Sequence, residues 1–522
     1  MAMLKRAVKN GAFSVGTQVV VLALGLLFAG MTIRYLGTAR AGFFVVAQLI
    51  LGWFGVAGVG GFRAAAIHRL ASLGAASDWK TSRAVLGTIH SANIAIAVPF
   101  AVVSVAAFPY LFTWSRLEDS QRWDAWCVVV LGAVTFLLDQ SSATLRAVYN
   151  AHQRFDLVMY LSFAFGLFGN VARLVVLIEV QTMASLALVN VIISLVTVGV
   201  DVLLTRRLLH GWTVLAFRKE ELRPLMRFGL WAWSGDIIGA LAINVGNMVT
   251  TYFLGSAPLP YITLPQRIAG QVHTFFANTC YFLFPTLAAE GGDAASAFAG
   301  VEDRLRWFVA AASWALYAAL VLAGPLLLTL LAGADFAEKA YPALVVFAAI
   351  MAVNAMNIVY SFASMAVGKI HPSVVAENAS SLLTTASGAW LIPSLGYMGA
   401  CWAAAWKGPA VVFQCAWSRR VLGLTNTLRA EWAPYLSPAV AVVVCLGAAK
   451  AVRVAAGGSS WLVTTLMLLV GGAAYFVVVW RMETGILARR ERWSTVLRAV
   501  NVMKRRLMPE KTTEVPLPSE GK

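Results

Sequence analysis

Long apolar runs recur along the whole sequence, from Val19 to Val479, and short polar segments separate them. A helix needs about 20 predominantly apolar residues to cross the hydrocarbon layer of a bilayer. Hydrophobic residues make up 60% of the 522 residues and charged residues only 12%, well below the roughly 25% of soluble domains. The pattern therefore predicts an all-α polytopic membrane protein.

The apolar runs predict about fourteen transmembrane helices. The first seven span residues 11–33, 41–62, 85–110, 124–146, 157–178, 184–205 and 228–253. The second seven span residues 264–288, 307–332, 341–366, 373–393, 397–418, 434–455 and 460–480.

The distribution of Lys and Arg predicts the orientation of these helices, because cytoplasmic loops carry an excess of both residues. With a cytoplasmic N-terminus, 31 of the 41 basic residues fall in cytoplasmic segments and 7 on the opposite side. The other three, Arg173, Arg267 and Lys407, lie inside predicted helices. We therefore expect both termini in the cytoplasm. The net charge of +17 then has an explanation that requires no nucleic-acid partner.

An internal repeat divides the chain. Residues 35–43 (YLGTARAGF) align without gaps on residues 253–261 (FLGSAPLPY), and Gln48 aligns on Gln266, at an offset of 218 residues. The repeat predicts two parallel, pseudo-symmetric six-helix halves, as in many transporters. The predicted halves are residues 1–205 and 228–420, joined by a cytoplasmic amphipathic linker, 206–227. Two additional helices in 434–480 and a basic cytoplasmic tail, 481–522, follow, and both basic segments are expected to contact membrane lipids.

Several short motifs carry a family resemblance. Residues 34–37 (RYLG), 42–43 (GF), 58–61 (GVGG), 64–66 (AAA), 284–287 (FPTL) and 391–400 (LIPSLGYMGA) occur in this order. Together they resemble polysaccharide flippases of the multidrug/oligosaccharidyl-lipid/polysaccharide (MOP) exporter superfamily. The chain departs from the family pattern at Asn247-Met248, where many relatives have an acid and a base.

The resemblance implies a function in cell-surface polysaccharide synthesis, of lipopolysaccharide O-antigen, capsule or exopolysaccharide. Such proteins translocate undecaprenyl-diphosphate-linked oligosaccharides from the cytoplasmic to the periplasmic leaflet of the bacterial inner membrane. A polysaccharide polymerase and a chain-length regulator would be partners. No cofactor is expected, although H⁺ or Na⁺ coupling is open. A cation-coupled multidrug exporter and a peptidoglycan-precursor flippase are alternatives.

The sequence contains no GxxxxGK[ST] loop, HExxH motif or nucleophile motif in a suitable context. We therefore predict that the protein is not an enzyme and has no metal site. A membrane-embedded polysaccharide polymerase is disfavoured, because the longest predicted internal loops are only about 20 residues and such enzymes typically need a large extramembrane loop.

Ionisable residues inside the predicted helices are functional candidates, because such residues usually face a bundle interior or an aqueous cavity. Arg267 and Lys407 predict a cationic cavity in the second half that attracts a diphosphate or an acidic sugar. The alternative is that they neutralise Glu377 or Asp236 as buried ion pairs.

The remaining candidates also have two interpretations. Arg173 lies near the external face and either binds substrate or extends to the interface. Arg34 and Arg63, beside the motif turns, either contact phosphate or anchor the helices at the headgroups. Asp139, Asp236 and Glu377 are candidates for ion coupling, whereas hydrogen bonds to neighbours such as Ser141 and Ser234 are the structural alternative for the two aspartates.

Overall fold

The computed structural model describes residues 20–51, 70, 79–152, 154–211, 246–280, 283, 287, 294–367, 369, 371–424, 428–456 and 461–482. Within these ranges the chain is built of helices and turns and has no strand. Nine helical segments in these ranges are long and apolar enough to cross a membrane. The predicted all-α, multi-pass fold is thereby confirmed.

Helices of the first half follow the predicted apolar runs closely. They are α1 (Val20–Leu51), α2 (Trp79–Ala106), α3 (Phe108–Ser115), α4 (Arg122–Ala151), α5 (Phe155–Val180) and α6 (Met183–Leu208). The predicted helix 85–110 begins earlier, at Trp79, and is interrupted at Ala107 before α3.

Helix α1 is a helical hairpin rather than one straight rod. Gly25 and Leu51 line the same cavity, although a straight helix at 1.5 Å per residue would place them roughly 39 Å apart. Gly37, midway between them, has φ of 79°, a conformation that glycine adopts without a steric penalty. The chain therefore turns back at Gly37, where the sequence predicts the turn between the helices 11–33 and 41–62.

Helices of the second half are α7 (246–254), α8 (Leu259–Cys280), α9 (Ala294–Ala299), α10 (Glu302–Ala332), α11 (Ala334–Ala355), α12 (Ile358–Ala366), α13 (His371–Leu395), α14 (Tyr397–Ala403) and α15 (Lys407–Val421).

Two predicted helices of this half are discontinuous. The predicted helix 341–366 breaks at Met356 and Asn357 into α11 and α12. The predicted helix 397–418 contains a 3₁₀ turn, Ala404–Trp406, between α14 and α15. Pro409 follows this turn and has no N–H to donate to the carbonyl of Ala405, which explains the second interruption.

The two additional helices, α16 (Leu428–Ala456) and α17 (Trp461–Arg481), pack on α10. The Trp307 indole donates to Ser437 Oγ at 3.2 Å, and the Tyr475 hydroxyl donates to the Ala311 carbonyl at 2.8 Å. The linker prediction, apart from residues 206–211, and the tail prediction, apart from 481–482, lie outside the described residues.

The repeated turns hold the two halves together. Ser256 Oγ, in the second copy of the repeat, donates to the Ala39 carbonyl in the first copy at 2.9 Å and to the Ser115 carbonyl at 3.0 Å. Arg116 donates to the Phe253 carbonyl at 2.8 Å. We call this contact between the halves the turn seam. The predicted orientation places it on the external face.

Gly42 lies in the turn seam and supports a first prediction. A Cβ atom on Gly42 would lie 1.9 Å from the Ser256 carbonyl oxygen, whereas a Cβ atom on Gly472 in α17 would meet nothing within 4 Å. Overpacking typically costs about 1–3 kcal/mol, so Gly42→Ala should lower the thermal unfolding midpoint in detergent. Gly472→Ala, the control, should leave it unchanged or raise it. Equal midpoints for the two variants would contradict a close-packed seam.

Candidate functional site

Helix α8 lies between two cavities. Successive residues of a helix point about 100° apart, so neighbours can face different spaces. Gln266, Gly270 and His273 line a cavity of about 1120 Å³ within the second half. Arg267 lines a cavity of about 450 Å³ whose other lining residues belong to the first half. We call these the large and the small cavity.

The small cavity contains three charged side chains. Arg173, on α5, donates from Nε to Asn190 Oδ1 at 2.6 Å and from Nη1 to Asn170 Oδ1 at 3.3 Å. Asp139, on α4, accepts a hydrogen bond from Ser194 Oγ at 2.7 Å. These neutral partners orient the charged groups without cancelling their charge.

Arg267 is the third charged group of the small cavity. Its side chain is exposed to the cavity and makes no hydrogen bond or ion pair with any residue that the structure describes. With two arginines and one aspartate, the small cavity has an excess of positive charge. Such a space favours an anionic group.

The large cavity is electrically neutral where Lys407 and Glu377 meet. The Lys407 ammonium, on α15, forms an ion pair with the Glu377 carboxylate, on α13. Half of the Glu377 side chain is exposed, whereas Lys407 is largely covered. The ammonium group is therefore engaged and does not add positive charge to the cavity.

Amide and hydroxyl groups line the large cavity where the two helices are interrupted. Gln414, on α15, donates to Ser373 Oγ at 2.8 Å and to Ser361 Oγ at 3.1 Å, and it accepts from Asn357 at 3.0 Å. Asn357 also donates to Asn354 Oδ1 at 3.3 Å. This amide network connects α11, α12, α13 and α15 and fixes the shape of the cavity wall.

The structure separates two residues that the sequence analysis expects in one cavity. Arg267 faces the small cavity and Lys407 the large one, because α8 lies between them. Arg173 and Asp139 join Arg267, while Glu377 pairs with Lys407.

Three further candidates lie elsewhere. Arg34 is exposed near the Gly37 turn and lines neither cavity. Arg63 and Asp236 lie outside the described residues.

One charged cluster in the first half is missed by the sequence analysis. Asp201, fully buried on α6, binds Arg146 Nε at 3.0 Å and accepts hydrogen bonds from Ser142 and Tyr149. Arg146 is the last residue of the predicted helix 124–146, and α4 continues beyond it to Ala151. This cluster ties α4 to α6.

A second missed cluster occupies the other half. Buried Glu302 forms ion pairs with Arg306 and Arg419 and accepts a hydrogen bond from Tyr360. Arg306 and Arg419 fall just outside the predicted helices 307–332 and 397–418, but both are almost fully buried, in α10 and α15. Asp201 and Arg419 are 218 residues apart, the offset of the repeat, and this spacing is the signal that could have revealed both clusters.

Solved structures share this arrangement of two helical halves around polar cavities. No protein-family model and no curated protein matches the sequence. The lipid II flippase MurJ, in an inward closed conformation, matches with a TM-score of 0.74 at 10% identity, covering 91% of this chain and 100% of MurJ.

Other solved transporters share the fold. An inward-facing multidrug resistance MATE family transporter of the MOP superfamily matches with a TM-score of 0.57 at 12% identity, covering 77% of this chain and 94% of its own. A MOP superfamily transporter from Pyrococcus furiosus matches with a TM-score of 0.51 at 14% identity, covering 78% and 93%. This chain therefore has the fold that MurJ and the MATE transporter share, which is the fold that the motif resemblance implies.

The different partners of Arg267 and Lys407 lead to a second prediction. Lys407→Met should lower the thermal unfolding midpoint, because it leaves Glu377 unpaired. The cost should be less than the roughly 3–5 kcal/mol of a fully buried pair, because half of the Glu377 side chain is exposed. Arg267→Met should leave the midpoint nearly unchanged.

The double variant Glu377→Gln/Lys407→Met is the control, and it should recover most of the lost stability. If Arg267→Met destabilises the protein as much as Lys407→Met, then Arg267 supports the fold rather than an open binding site.

Proposed function

We propose that this protein is a flippase that translocates undecaprenyl-diphosphate-linked oligosaccharides from the cytoplasmic to the periplasmic leaflet of the bacterial inner membrane. The observation that carries this proposal is the position of Arg173 and Arg267 on one cavity, from opposite halves of the fold. Polysaccharide synthesis would use the translocated lipid, so a polymerase and a chain-length regulator are the proposed partners.

The chemistry of the small cavity suits a diphosphate. A charged head group cannot cross hydrocarbon unaided, because each unpaired polar group costs a few kcal/mol and each charge more. Guanidinium groups bind phosphate oxygens through paired N–H donors. The N–H groups of Arg267 bond to no residue that the structure describes. Arg173 is held in place by hydrogen bonds to Asn190 and Asn170.

The two halves supply a route for alternating access. Arg267 belongs to the second half but lines a cavity of the first, so rocking of the halves would change its distance from Arg173. The turn seam joins the two halves at the face that the charge distribution predicts to be external. Substrate would therefore enter from the cytoplasmic side in this conformation. Asp139, in the same cavity, is the proposed site of H⁺ or Na⁺ coupling.

A peptidoglycan-precursor flippase is the second candidate. The structural match with the lipid II flippase MurJ extends over the whole of that protein, and a diphosphate head would suit the same arginine pair. A cation-coupled multidrug exporter fits less well, because two arginines in the small cavity repel cationic compounds.

Deletion of the gene distinguishes the two candidates. A strain without the protein should remain viable and accumulate the lipid-linked repeat unit on the cytoplasmic leaflet. An essential gene whose depletion traps lipid II in that leaflet would establish the second candidate instead. Normal leaflet distribution and normal polymer yield would exclude both.

Flipping by purified protein gives the third prediction. In proteoliposomes with a fluorescent polyprenyl-diphosphate disaccharide, Arg173→Gln and Arg267→Gln should each lower the translocation rate at low substrate concentration by about tenfold or more. The reason is that each variant loses a hydrogen bond between charged groups, worth about 1.5–3 kcal/mol. Arg453→Gln, at an exposed position on α16, is the matched control and should retain the parental rate. Undiminished flipping by the double variant would refute the proposed role of the arginine pair.

A further inference from the structure

We infer that the large cavity is a separate binding site for the uncharged sugar residues of the head group, while the diphosphate occupies the small cavity across α8. This inference rests on the proposed function and assigns different parts of one substrate to the two cavities. Its basis is the contrast in charge and in available hydrogen-bonding groups between the two spaces.

The large cavity has the volume for several sugar residues. At about 1120 Å³ it slightly exceeds the roughly 300–1,000 Å³ typical of small-molecule pockets. It is more than twice the volume of the small cavity, at about 450 Å³. A head group of several sugars therefore fits the large cavity better than the small one.

Polar side chains face the large cavity along one stripe of α13. Ser373, Glu377, Ser381 and Thr384 recur at intervals of three or four residues and all line it, as expected for one face of a helix. Serine, threonine and amide groups both donate and accept hydrogen bonds, which matches sugar hydroxyl and acetamido groups. The stripe faces Gln266 and His273 of α8 across the cavity.

Some of these groups are available for a ligand. Gln414, Asn357 and Ser361 bond to one another and so form the wall. Gln266 and Asn378 also line the cavity, and neither hydrogen-bonds through its side chain to any residue in the described ranges. An amide that lines a cavity without a described protein partner can gain hydrogen bonds from a polar ligand.

The repeat places one glutamine in each cavity. Gln48 lines the small cavity and Gln266, its equivalent at the 218-residue offset, lines the large one. The surroundings of the pair have diverged: charged Asp139, Arg173 and Arg267 accompany Gln48, whereas the neutralised pair of Lys407 and Glu377 lies near Gln266. Duplicated cavities have therefore acquired different chemistry, which suits a substrate with a charged and an uncharged part.

Binding of two probes to the purified full-length chain in nanodiscs tests the inference. One probe is polyprenyl diphosphate, and the other is the same lipid bearing a neutral disaccharide. The disaccharide probe should bind about tenfold more tightly, the gain from a few neutral hydrogen bonds. Gln266→Leu/Asn378→Leu should remove this gain and leave the affinity for the bare probe unchanged.

The control is Ser387→Leu, on the same helix α13 but outside the cavity lining. It should preserve both affinities. Equal affinities of the two probes for the parent protein, or a gain that survives in the double leucine variant, would overturn the inference and leave the proposed function standing. Failure of either probe to bind would overturn both.

Charge selectivity supplies a further test. Glu377→Gln leaves the Lys407 ammonium without its carboxylate, so this variant should bind a probe with an acidic, uronic-acid disaccharide at least about tenfold more tightly than the parent does. Glu377→Gln/Lys407→Met is the matched control. It restores neutrality, so its affinity for the acidic probe relative to the neutral disaccharide probe should return to that of the parent. An unchanged preference in Glu377→Gln would contradict a sugar site at this ion pair.

Discussion

The rotation of about 100° between adjacent residues of a helix determines how this protein divides its polar interior. On α8 it turns Gln266 toward the large cavity and Arg267 toward the small one. One helix of the second half thus contributes to both spaces. Any movement of α8 relative to the first half would change the small cavity while carrying the wall of the large cavity with it. In the proposed function, this coupling would let one rigid-body movement act on two parts of the substrate together.

Charge pairing separates the ionisable groups that stabilise the fold from those that remain available. Asp201 pairs with Arg146, and Glu302 pairs with Arg306 and Arg419, while Asp303 next to Glu302 supplies a second carboxylate for Arg306. Their pairing avoids the cost of isolated charges in a low-dielectric interior. Lys407 is satisfied by Glu377 in the same way. Arg267 has no such partner in the described residues and is the cation that the proposed substrate would neutralise.

The sequence predicts the fold well because hydropathy and repetition are local properties. The apolar runs locate α4, α5, α6, α16 and α17 to within a few residues, and the repeat identifies the turns that meet at Ser256. Local sequence patterns do not predict which helices touch. The pairing of Lys407 with Glu377 is therefore only one of two interpretations, and the separation of Lys407 from Arg267 is missed. Apolar runs also end at the first charge, so the predicted helices stop at Arg146 and leave out Arg306 and Arg419, although ion pairs within the fold hold all three.

A structure determined with a bound polyprenyl-diphosphate oligosaccharide would test the central claim most directly. The account predicts diphosphate density within hydrogen-bonding distance of Arg267 and Arg173, with sugar density on the other side of α8 beside Gln266 and Asn378. Diphosphate density at Lys407, or a head group that leaves both cavities empty and lies on the surface of the helices, would contradict it.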